Sequence, residues 1–382
     1  MLGLSLNRLG KRLGRLPRLS SGTSPVRDFK HLLSPATVPN RLFCPTMRSL
    51  WSMERLEKWA RAYLRLYNRQ NSQWWRIQLQ SRLQKLAEIL RFDDILTKLP
   101  QNCDELILVP HQALHLFPLH ALPVRGQYCL LDCFSKGIRY VPSCQLLQLA
   151  QARQRNDFAR LFAVQNPTND LSYANVEIAA IRGYFETADV LKQAAATKVA
   201  LQESSLKKSH CIHFSYHGYF DLDNPLESGL KLTDAPLTLG EILQLDLGQC
   251  RLVTLSACET GFIDFTSLSD EYIGLPNGFL YAGSPSVVSR LWDINDLSTA
   301  LLMIKFYQNL QIGLTVAVAL NQAQLWLRDI TKIELEQLIN VNQLPLNPTV
   351  RMDLRRRFYR FRDDQQPFRE PFHWAAFCAI GQ

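Results

Sequence analysis

The feature that most constrains the fold of this 382-residue chain is a regular alternation of short apolar runs and helical patterns after Asn102. Turn-forming residues bound each apolar run, and the runs are ELILVP (105–110), GIRYVP (137–142), RLFAVQNP (160–167), ADVLK (188–192), HCIHFSYHG (210–218), CRLVTLSAC (250–258) and PSVVSRLW (285–292). Strands that are buried on both faces of a sheet read as continuous apolar runs. The alternation therefore predicts an α/β fold, with a mostly parallel sheet flanked by helices on both faces.

Helical periodicity separates the predicted strands, and one more strand closes the chain. The helical segments are 143–155, 174–186, 197–207, 271–282, 296–311 and 313–331, and the closing apolar run is FHWAAFCAI (372–380). Residues 333–371 are polar and contain an arginine cluster, which consists of Arg355, Arg356, Arg357, Arg360 and Arg362. We interpret 333–371 as a polar insertion loop inside a domain that spans residues 101–382.

A helical segment is predicted over residues 50–100, before this domain. Apolar residues recur there at spacings of three and four, first at Leu56, Trp59, Ala60, Tyr63 and Leu66, and again at Leu79, Leu83, Leu86 and Leu90. No self-similarity of about 34 residues is visible, which favours a helical pair over a tetratricopeptide array. Residues 1–49, with their proline- and threonine-rich end, are interpreted as a basic flexible leader and linker.

The net charge of +9 is spread unevenly along the chain. Residues 1–98 contain 19 basic and 6 acidic residues (+13), residues 99–349 contain 17 and 24 (−7), and residues 350–382 contain 7 and 4 (+3). A protein that binds nucleic acid presents a basic surface on its binding domain. The acidic body therefore disfavours nucleic acid as a partner and favours a basic protein or peptide.

The sequence also bears on the compartment. No apolar stretch reaches the length of about 18 residues that a membrane-spanning helix needs, so no transmembrane segment is predicted. The first 27 residues are basic and contain no acid, and their apolar runs are too short for a secretory signal, which leaves a transit peptide, a membrane-surface helix or a disordered tail. Nine cysteines at irregular spacings fit reduced thiols, and we expect a cytoplasmic protein.

Two predicted strands end on reactive side chains. His217 and Gly218 end one run, and Cys258 ends another. Because reacting groups collect outside the carboxyl ends of parallel strands, the imidazole and the thiol could form a nucleophilic pair. The backbone N–H groups of Gly218 and Cys258 could then hold an oxyanion. The spacing alone leaves the alternative open that Cys258 is a small buried hydrophobic residue.

A metal centre is disfavoured. Cys211, His213, Ser215 and His217 lie at alternate positions on one strand face, and neighbours on that face are about 6.6–7 Å apart, which is too far for one zinc ion. We therefore interpret Cys211 and His213 as core residues. Cys129 and Cys133 would need two further ligands that the sequence does not supply, and no cofactor is predicted.

Many ordered motifs resemble the CHAT domain, a caspase-like family of cysteine peptidases related to caspases and separase. The matching blocks are LILVPHQALHLFPLHALPV, IRYVPS, LFAVQNP, HFSYHGYFDLDNPLESGLKL, LTLGEILQLDL, LVTLSACETG, DEYIGLPNGFLYAGSPSVVSRLW and FHWAAFCAIG, which together cover most of residues 100–382. The DEYIGLPNGFLYAG block is most similar to cyanobacterial members, including HetF-type proteins. The resemblance implies a caspase-like cysteine endopeptidase of the clan CD type.

The same resemblance implies roles for two residues, since it makes His217 the general base and acid and Cys258 the nucleophile of a Cys–His dyad. It implies a protein or peptide as substrate. The alternative is a catalytically silent protein with this fold, a regulator or adaptor that binds a partner through its helices at residues 50–100. The long repeat array that usually accompanies the family is missing from this sequence.

The substrate pocket is expected near the loop after the Cys258 strand and beside the SRLW strand. The candidate residues there are Asp270, Glu271, Arg290, Trp292 and Asp296. An acidic residue would receive an arginine or lysine side chain, as in separase-like relatives, whereas Arg290 would receive an acidic one, as in caspases. We favour cleavage after a basic residue because the body of the chain is acidic.

Overall fold

The computed structural model describes residues 50–68, 72–126, 128–153, 155–221, 224–256, 274–294, 296–340, 344–346 and 348–382. The leader at 1–49 and three of the predicted site residues, Cys258, Asp270 and Glu271, lie outside the described residues. None of the described helices combines the length and the apolar character needed to cross a bilayer.

The described residues form a central sheet of eight strands and two small sheets. In chain order the strands are β1 (Leu106–Leu108), β2 (Pro123–Val124), β3 (Tyr128–Cys129), β4 (Ile138–Tyr140), β5 (Arg160–Gln165), β6 (Thr187–Lys192), β7 (Cys211–Ser215), β8 (Gly218–Tyr219), β9 (Gly229–Leu230), β10 (Leu237–Thr238), β11 (Leu252–Leu255), β12 (Ser286–Arg290) and β13 (Phe377–Gly381). The central sheet has the order β1-β4-β13-β12-β11-β7-β5-β6. This order places β7 and β11, the strands that lead to His217 and Cys258, side by side.

The central sheet is mostly parallel, with one antiparallel pairing. Strand β12 runs antiparallel to β13, whereas every other neighbouring pair in this sheet is parallel. Consequently β5, β6, β7, β11 and β12 share one carboxyl edge, and β1, β4 and β13 run in the opposite direction. The loops that follow β5, β7, β11 and β12 therefore leave the sheet at the same edge.

Helices cover both faces of the central sheet. In chain order they are α1 (Leu50–Asn68), α2 (Ser72–Leu90), α3 (Phe92–Leu96), α4 (Cys144–Ala152), α5 (Ser172–Ile181), α6 (Lys198–Glu203), α7 (Leu239–Ile242), α8 (Leu275–Ala282), α9 (Asp296–Gln311), α10 (Val316–Asp329), α11 (Lys332–Asn340), α12 (Pro348–Phe358) and α13 (Pro371–Trp374). Side chains alternate between the two faces of a strand. His213 of β7 contacts Tyr307 of α9, and the next residue, Phe214, contacts Phe279 of α8, so α8 and α9 lie on opposite faces.

The N-terminal helices α1 and α2 pack onto the same hydrophobic core as the sheet. The ring of Trp59 in α1 lies edge-on to Phe117, with centroids 4.7 Å apart, and Trp75 in α2 lies edge-on to Trp292, with centroids 5.5 Å apart. Large aromatic side chains contribute most of the buried area at such contacts. The helical pair that was predicted from three- and four-residue spacing is therefore present and is joined to the sheet by aromatic packing.

Two predictions about the C-terminal region were wrong. The segment 333–371 contains most of helix α11 and the whole of helix α12, although it was interpreted as a loop. Val350, Leu354 and Phe358 recur every four residues and are buried, but the surrounding arginines hide this pattern in the sequence. The closing run 372–380 begins with the helical turn α13, and strand β13 starts only at Phe377, because a short apolar run does not distinguish a strand from a buried helical turn.

Candidate active site

The tips of β5, β7 and β11 are level at the carboxyl edge of the sheet. Leu255 of β11 is the register partner of Phe214 in β7, and the N–H of Ser256 donates to the carbonyl oxygen of Phe214 at 2.9 Å. On the other side of β7, the N–H of Asn166 donates to the carbonyl oxygen of Ser215 at 3.0 Å. His217 follows Phe214 by three residues, and Cys258 follows Leu255 by three residues.

His217 is paired with an aspartate that the sequence analysis did not select. Its Nε2 lies 2.9 Å from Oδ2 of Asp170, which belongs to the loop after β5. The His217 side chain is 25% exposed and the Asp170 side chain 55% exposed, so the pair is accessible at the surface. Partial burial tends to raise the pKa of Asp170, but hydrogen bonds from Thr168 and His217 outweigh it and hold that pKa below its ordinary value. Asp170 is therefore a carboxylate suited to orienting an imidazole.

The side chain of Asn166 builds the loop that carries Asp170. Asn166 has a left-handed backbone conformation (φ 47°), which asparagine tolerates better than most residues. Its Oδ1 accepts hydrogen bonds from the N–H groups of Asp170 and Leu171, each at 3.1 Å, and its Nδ2 donates to the carbonyl oxygen of Leu171 at 3.0 Å. The QNPTND segment thus forms an asparagine-centred turn that holds Asp170 beside His217.

The hydrogen-bond pattern of β8 leaves the N–H of Gly218 unused within its strand pair. Gly218 is the register partner of Leu230 in β9, and the carbonyl oxygen of His217 accepts from the N–H of Lys231 at 2.9 Å. These bonds make Gly218 and Leu230 a non-hydrogen-bonded pair of an antiparallel ladder. The Gly218 N–H consequently points away from β9.

Arg290 and Trp292, two of the predicted pocket residues, are buried. The guanidinium of Arg290 is 4% exposed; one nitrogen lies 3.5 Å from Asp293 and another donates to Thr299 Oγ1 at 3.2 Å. The indole Nε1 of Trp292 donates to the carbonyl oxygen of Phe372 at 3.1 Å. Both side chains are therefore engaged in contacts inside the protein.

Asp296 is the predicted pocket residue that the structure brings toward His217. It begins α9, after the loop that follows β12, and its carboxyl is close enough to His217 and Arg290 for their charges to act on it. Burial raises the pKa of Asp296 above its ordinary value, even though Arg290 opposes this effect. A half-buried carboxyl with a raised pKa gains from a cation placed beside it.

A buried polar network lies under the His217 strand. Nε2 of His213 lies 2.6 Å from Glu177 Oε1 of α5, and its Nδ1 lies 3.1 Å from the hydroxyl of Tyr307 in α9. The Tyr307 hydroxyl lies 2.9 Å from Oγ1 of Thr254 on β11. All four side chains are buried, which confirms the interpretation of His213 as a core residue; Cys211 is buried as well. Within the described parts of the chain, no group of histidine, cysteine, aspartate and glutamate side chains is arranged to hold a metal ion.

The sequence contained weak signals for the residues that were missed. Asp170 follows a predicted strand by a few residues in a turn-rich segment, just as His217 follows its own strand. Glu177 is an acid among apolar residues in α5, and a buried acid needs a polar partner. Neither signal identifies the partner, because β5 and β7 are separated by β6 in the chain and become neighbours only in the sheet.

Comparison with known proteins decides the family, because the model of the CHAT domain matches residues 80–382. The chain belongs to the CHAT domain family. The match begins inside α2, so the second half of that helix belongs to the family domain together with the sheet. Separin from Emericella nidulans is 26% identical over 212 residues, which cover 53% of this chain and 9% of that protein.

Two solved structures align with this chain at low sequence identity. The separase–securin complex of Saccharomyces cerevisiae aligns over 72% of this chain and 15% of the separase chain, with 16% identity and a TM-score of 0.42. The Arg-specific cysteine proteinase gingipain R of Porphyromonas gingivalis aligns over 79% of this chain and 67% of its own, with 10% identity and a TM-score of 0.47. This chain therefore spans a small part of the separase proteins that it matches.

The family match confirms the CHAT family, and the strand order confirms the mostly parallel α/β fold with a preceding helical segment. The structure brings Asp170, His217, Gly218 and Asp296 to one edge of the sheet. The similarity to cyanobacterial HetF-type members and the cytoplasmic location stay predictions.

Proposed function

We propose that this CHAT domain is a cysteine endopeptidase in which Cys258 is the nucleophile, His217 the general base and acid, and Asp170 a positioning residue. The observation that carries the proposal is the 2.9 Å contact between His217 and Asp170, at the tip of the strand beside β11. An imidazole oriented by a carboxylate, next to a strand that leads to a cysteine, is the arrangement that nucleophilic catalysis requires.

The proposed reaction is acyl transfer followed by hydrolysis. His217 accepts the proton of the Cys258 thiol, and the thiolate attacks the carbonyl carbon of the scissile peptide bond. The N–H groups of Gly218 and Cys258 donate to the oxyanion, and His217 then gives its proton to the leaving amine. Water, deprotonated by His217, attacks the thioester, and Cys258 leaves as a thiolate. Asp170 stabilises the imidazolium that forms twice in this cycle.

Replacing Asp170 with asparagine is expected to lower kcat by about 10- to 100-fold with little change in KM. The loss should fall on kcat because Asp170 contacts the imidazole and acts in the chemical step. The loss in kcat should be smaller than the full contribution of a general base. Asp170 is half exposed, so water screens part of its electrostatic interaction with the imidazolium. Steady-state kinetics on a cleaved peptide measure both constants.

Glu186→Gln is the matched control for Asp170→Asn, because Glu186 is an exposed acid next to β6 at the opposite edge of the sheet. It should leave kcat unchanged. Equal kcat values for wild type and Asp170→Asn would show that Asp170 does not orient the catalytic imidazole.

We propose further that the enzyme cleaves after a basic residue, with Asp296 receiving the arginine or lysine side chain. The guanidinium of Arg290 is buried and already engaged by Asp293 and Thr299, which disfavours it as the receptor of an acidic side chain. The Asp296 carboxyl has a raised pKa, which means that its ionised form is disfavoured by burial. A substrate cation placed beside it stabilises that ionised form. A charge-assisted contact of this kind is stronger than a neutral hydrogen bond.

Fluorogenic peptides that differ only in the residue before the cleaved bond test both the activity and its specificity. Wild type should cleave the arginine and lysine peptides and leave the aspartate peptide intact. Asp296→Asn should lower kcat/KM for the basic peptides by about 10- to 100-fold. As pH falls, KM for the arginine peptide should rise through the raised pKa of Asp296, because only the ionised carboxyl attracts the cation.

Asp293→Asn is the control in the same loop, since Asp293 is paired with Arg290 and its side chain is 65% exposed. It should change the preference much less than Asp296→Asn. Preferred cleavage of the aspartate peptide would overturn the specificity, and a folded wild type that cleaves none of the peptides would count against the activity itself.

A second function, partner binding through the N-terminal helices, is favoured by one observation. Trp74 and Ile77 of α2 are 57% and 65% exposed and lie one helical turn apart. Exposed large apolar side chains that adjoin one another mark protein contact sites more often than isolated ones do. We propose that a regulatory protein binds here, either on the active peptidase or on a catalytically silent form of the domain.

A further inference from the structure

The outer face of helix α12 combines exposed cations with exposed apolar side chains. Met352 and Tyr359 are 69% and 85% exposed, which are high values for such residues. Tyr359 directly follows the last residue of α12, and its N–H still donates to the carbonyl oxygen of Arg355 at 3.0 Å, so the helical path continues to it and the two side chains, seven positions apart, share a face. The outer face of α12 is defined here by these two residues and the exposed arginines between and beside them: Met352, Arg355, Arg356, Tyr359 and Arg360.

The arginines of this outer face are not neutralised by neighbours. Among the described residues, Arg355, Arg356 and Arg360 form no ion pair. The other two arginines of the cluster, Arg357 and Arg362, do. Arg357 bonds Asp353 at 2.7 Å, and Arg362 lies 3.3 Å from Asp364. Arg355 and Arg356 in the last turn of α12 and Arg360 in the turn just after it therefore place three guanidinium groups without an ion pair close together in the chain, where their charges repel one another.

The composition of the outer face is that of a protein contact site. Arginine, tyrosine and methionine are enriched at protein interfaces, and arginine and tyrosine are frequent among the residues that contribute most to binding. The guanidinium group of arginine also binds carboxylates through two parallel hydrogen bonds. The face thus offers both the charge to attract an acidic segment and the apolar surface to anchor it.

The surroundings favour a short acidic peptide over a nucleic acid. Helix α12 has 11 residues, a length of roughly 16 Å, which matches a few residues of an extended peptide. Nucleic acid would extend beyond it onto a body in which residues 99–349 have 24 acidic and 17 basic residues. A long polyanion would be repelled there, whereas a short acidic segment would contact only the arginines.

Helix α12 is clamped beside the loop that carries Asp170. The hydroxyl of Tyr173, three residues after Asp170, donates to Oδ2 of Asp353 at 2.8 Å. The same oxygen accepts from Arg357 Nε at 2.7 Å, and the Arg357 guanidinium lies 5.7 Å from the Tyr173 ring centroid. A segment bound to α12 is therefore held near the carboxyl edge of the sheet.

We propose that the outer face of α12 docks a short acidic segment of a protein partner, next to the candidate active site. The arginines neutralise the carboxylates of the segment, and Met352 and Tyr359 contact its apolar side chains. Docking uses no step of peptide cleavage, so it holds whether or not the endopeptidase proposal does.

The test measures binding of fluorescein-labelled, glutamate-rich peptides of increasing charge, each with one leucine, to the full-length chain by fluorescence anisotropy. The chain carries Cys258→Ala so that no peptide is cleaved. The triple variant Arg355→Glu, Arg356→Glu, Arg360→Glu should weaken binding at least about 10-fold, since each exposed charge contact contributes a fraction of the affinity. Tyr359→Ala should weaken it several-fold without any change of charge.

The matched control reverses the charge of three exposed cations at the opposite edge of the sheet, with Arg182→Glu, Lys207→Glu and Lys208→Glu. It should leave peptide binding near its wild-type value. An equal loss of affinity in this control would show that only the net charge of the protein matters, and it would overturn the proposal. Absence of peptide binding would overturn it too, as would α12-dependent binding of phosphatidylserine vesicles or a single-stranded oligonucleotide in place of the peptides.

Discussion

Cys258→Ala is expected to abolish peptide-bond cleavage, with a loss of at least about 10³-fold in kcat, while the protein stays folded. The substitution removes the nucleophilic sulfur, and no other step of the proposed cycle can replace it. The paired part of β11 ends at Leu255, so the sheet itself is unchanged. Proteomic mapping of cleavage sites by wild type and variant measures the activity, and thermal unfolding measures the fold. Cleavage by the folded variant at an undiminished rate would eliminate Cys258 as the nucleophile.

A thiol-reactive peptide probe supplies the control for Cys258→Ala. Burial raises the pKa of the Cys129 and Cys250 thiols to about 12, and it also raises the pKa of Cys133, Cys211 and Cys378. These thiols stay protonated near neutral pH and react slowly. The probe should therefore label Cys258 in wild type and leave these five thiols unlabelled in both proteins, and labelling spread evenly over the cysteines would point to a silent domain instead of a peptidase.

Glu177→Ala is expected to lower the free energy of unfolding by about 3–5 kcal/mol. The substitution leaves Nε2 of the buried His213 imidazole without its partner 2.6 Å away, while Nδ1 keeps its contact with Tyr307, and it opens a cavity between α5 and β7. Urea unfolding of the two proteins gives the difference, and the melting temperature should fall by several degrees.

Glu177→Gln is the companion variant, because glutamine keeps the volume and an oxygen that can accept from His213. It should recover most of the stability that alanine removes. If Glu177→Ala unfolds at the same urea concentration as wild type, the Glu177–His213 contact does not hold α5 to the sheet.

Much of the fold follows from local patterns. Each apolar run predicted before residue 300 overlaps a strand of the central sheet, since the run length and its bounding turns are local properties. The helical pair at 50–100 follows from its spacing in the same way. Helix α12 escaped prediction because only Val350, Leu354 and Phe358 face the core, and its charged residues dominate the composition.

The direction of β13 was not predictable from its sequence. An apolar strand reads the same whether its neighbour runs parallel or antiparallel, and the antiparallel pairing with β12 depends on the path of the chain through α9 to α13. The same limit applies to the candidate site. His217 was selected because it ends a strand, but its partner Asp170 lies 47 residues earlier.

The sequence by itself indicated the family, the central-sheet strands before residue 300 with most of the helices between them, and the candidate pair His217 and Cys258, because motifs and periodicities are carried by neighbouring residues. Only the tertiary structure decided that Asp170 orients toward His217, that Glu177 is buried against His213, and that Arg290 is engaged inside the protein. These contacts join side chains from strands and helices far apart in the chain. They form because the strand order of the sheet, not the order of the sequence, sets which loops meet at its edge.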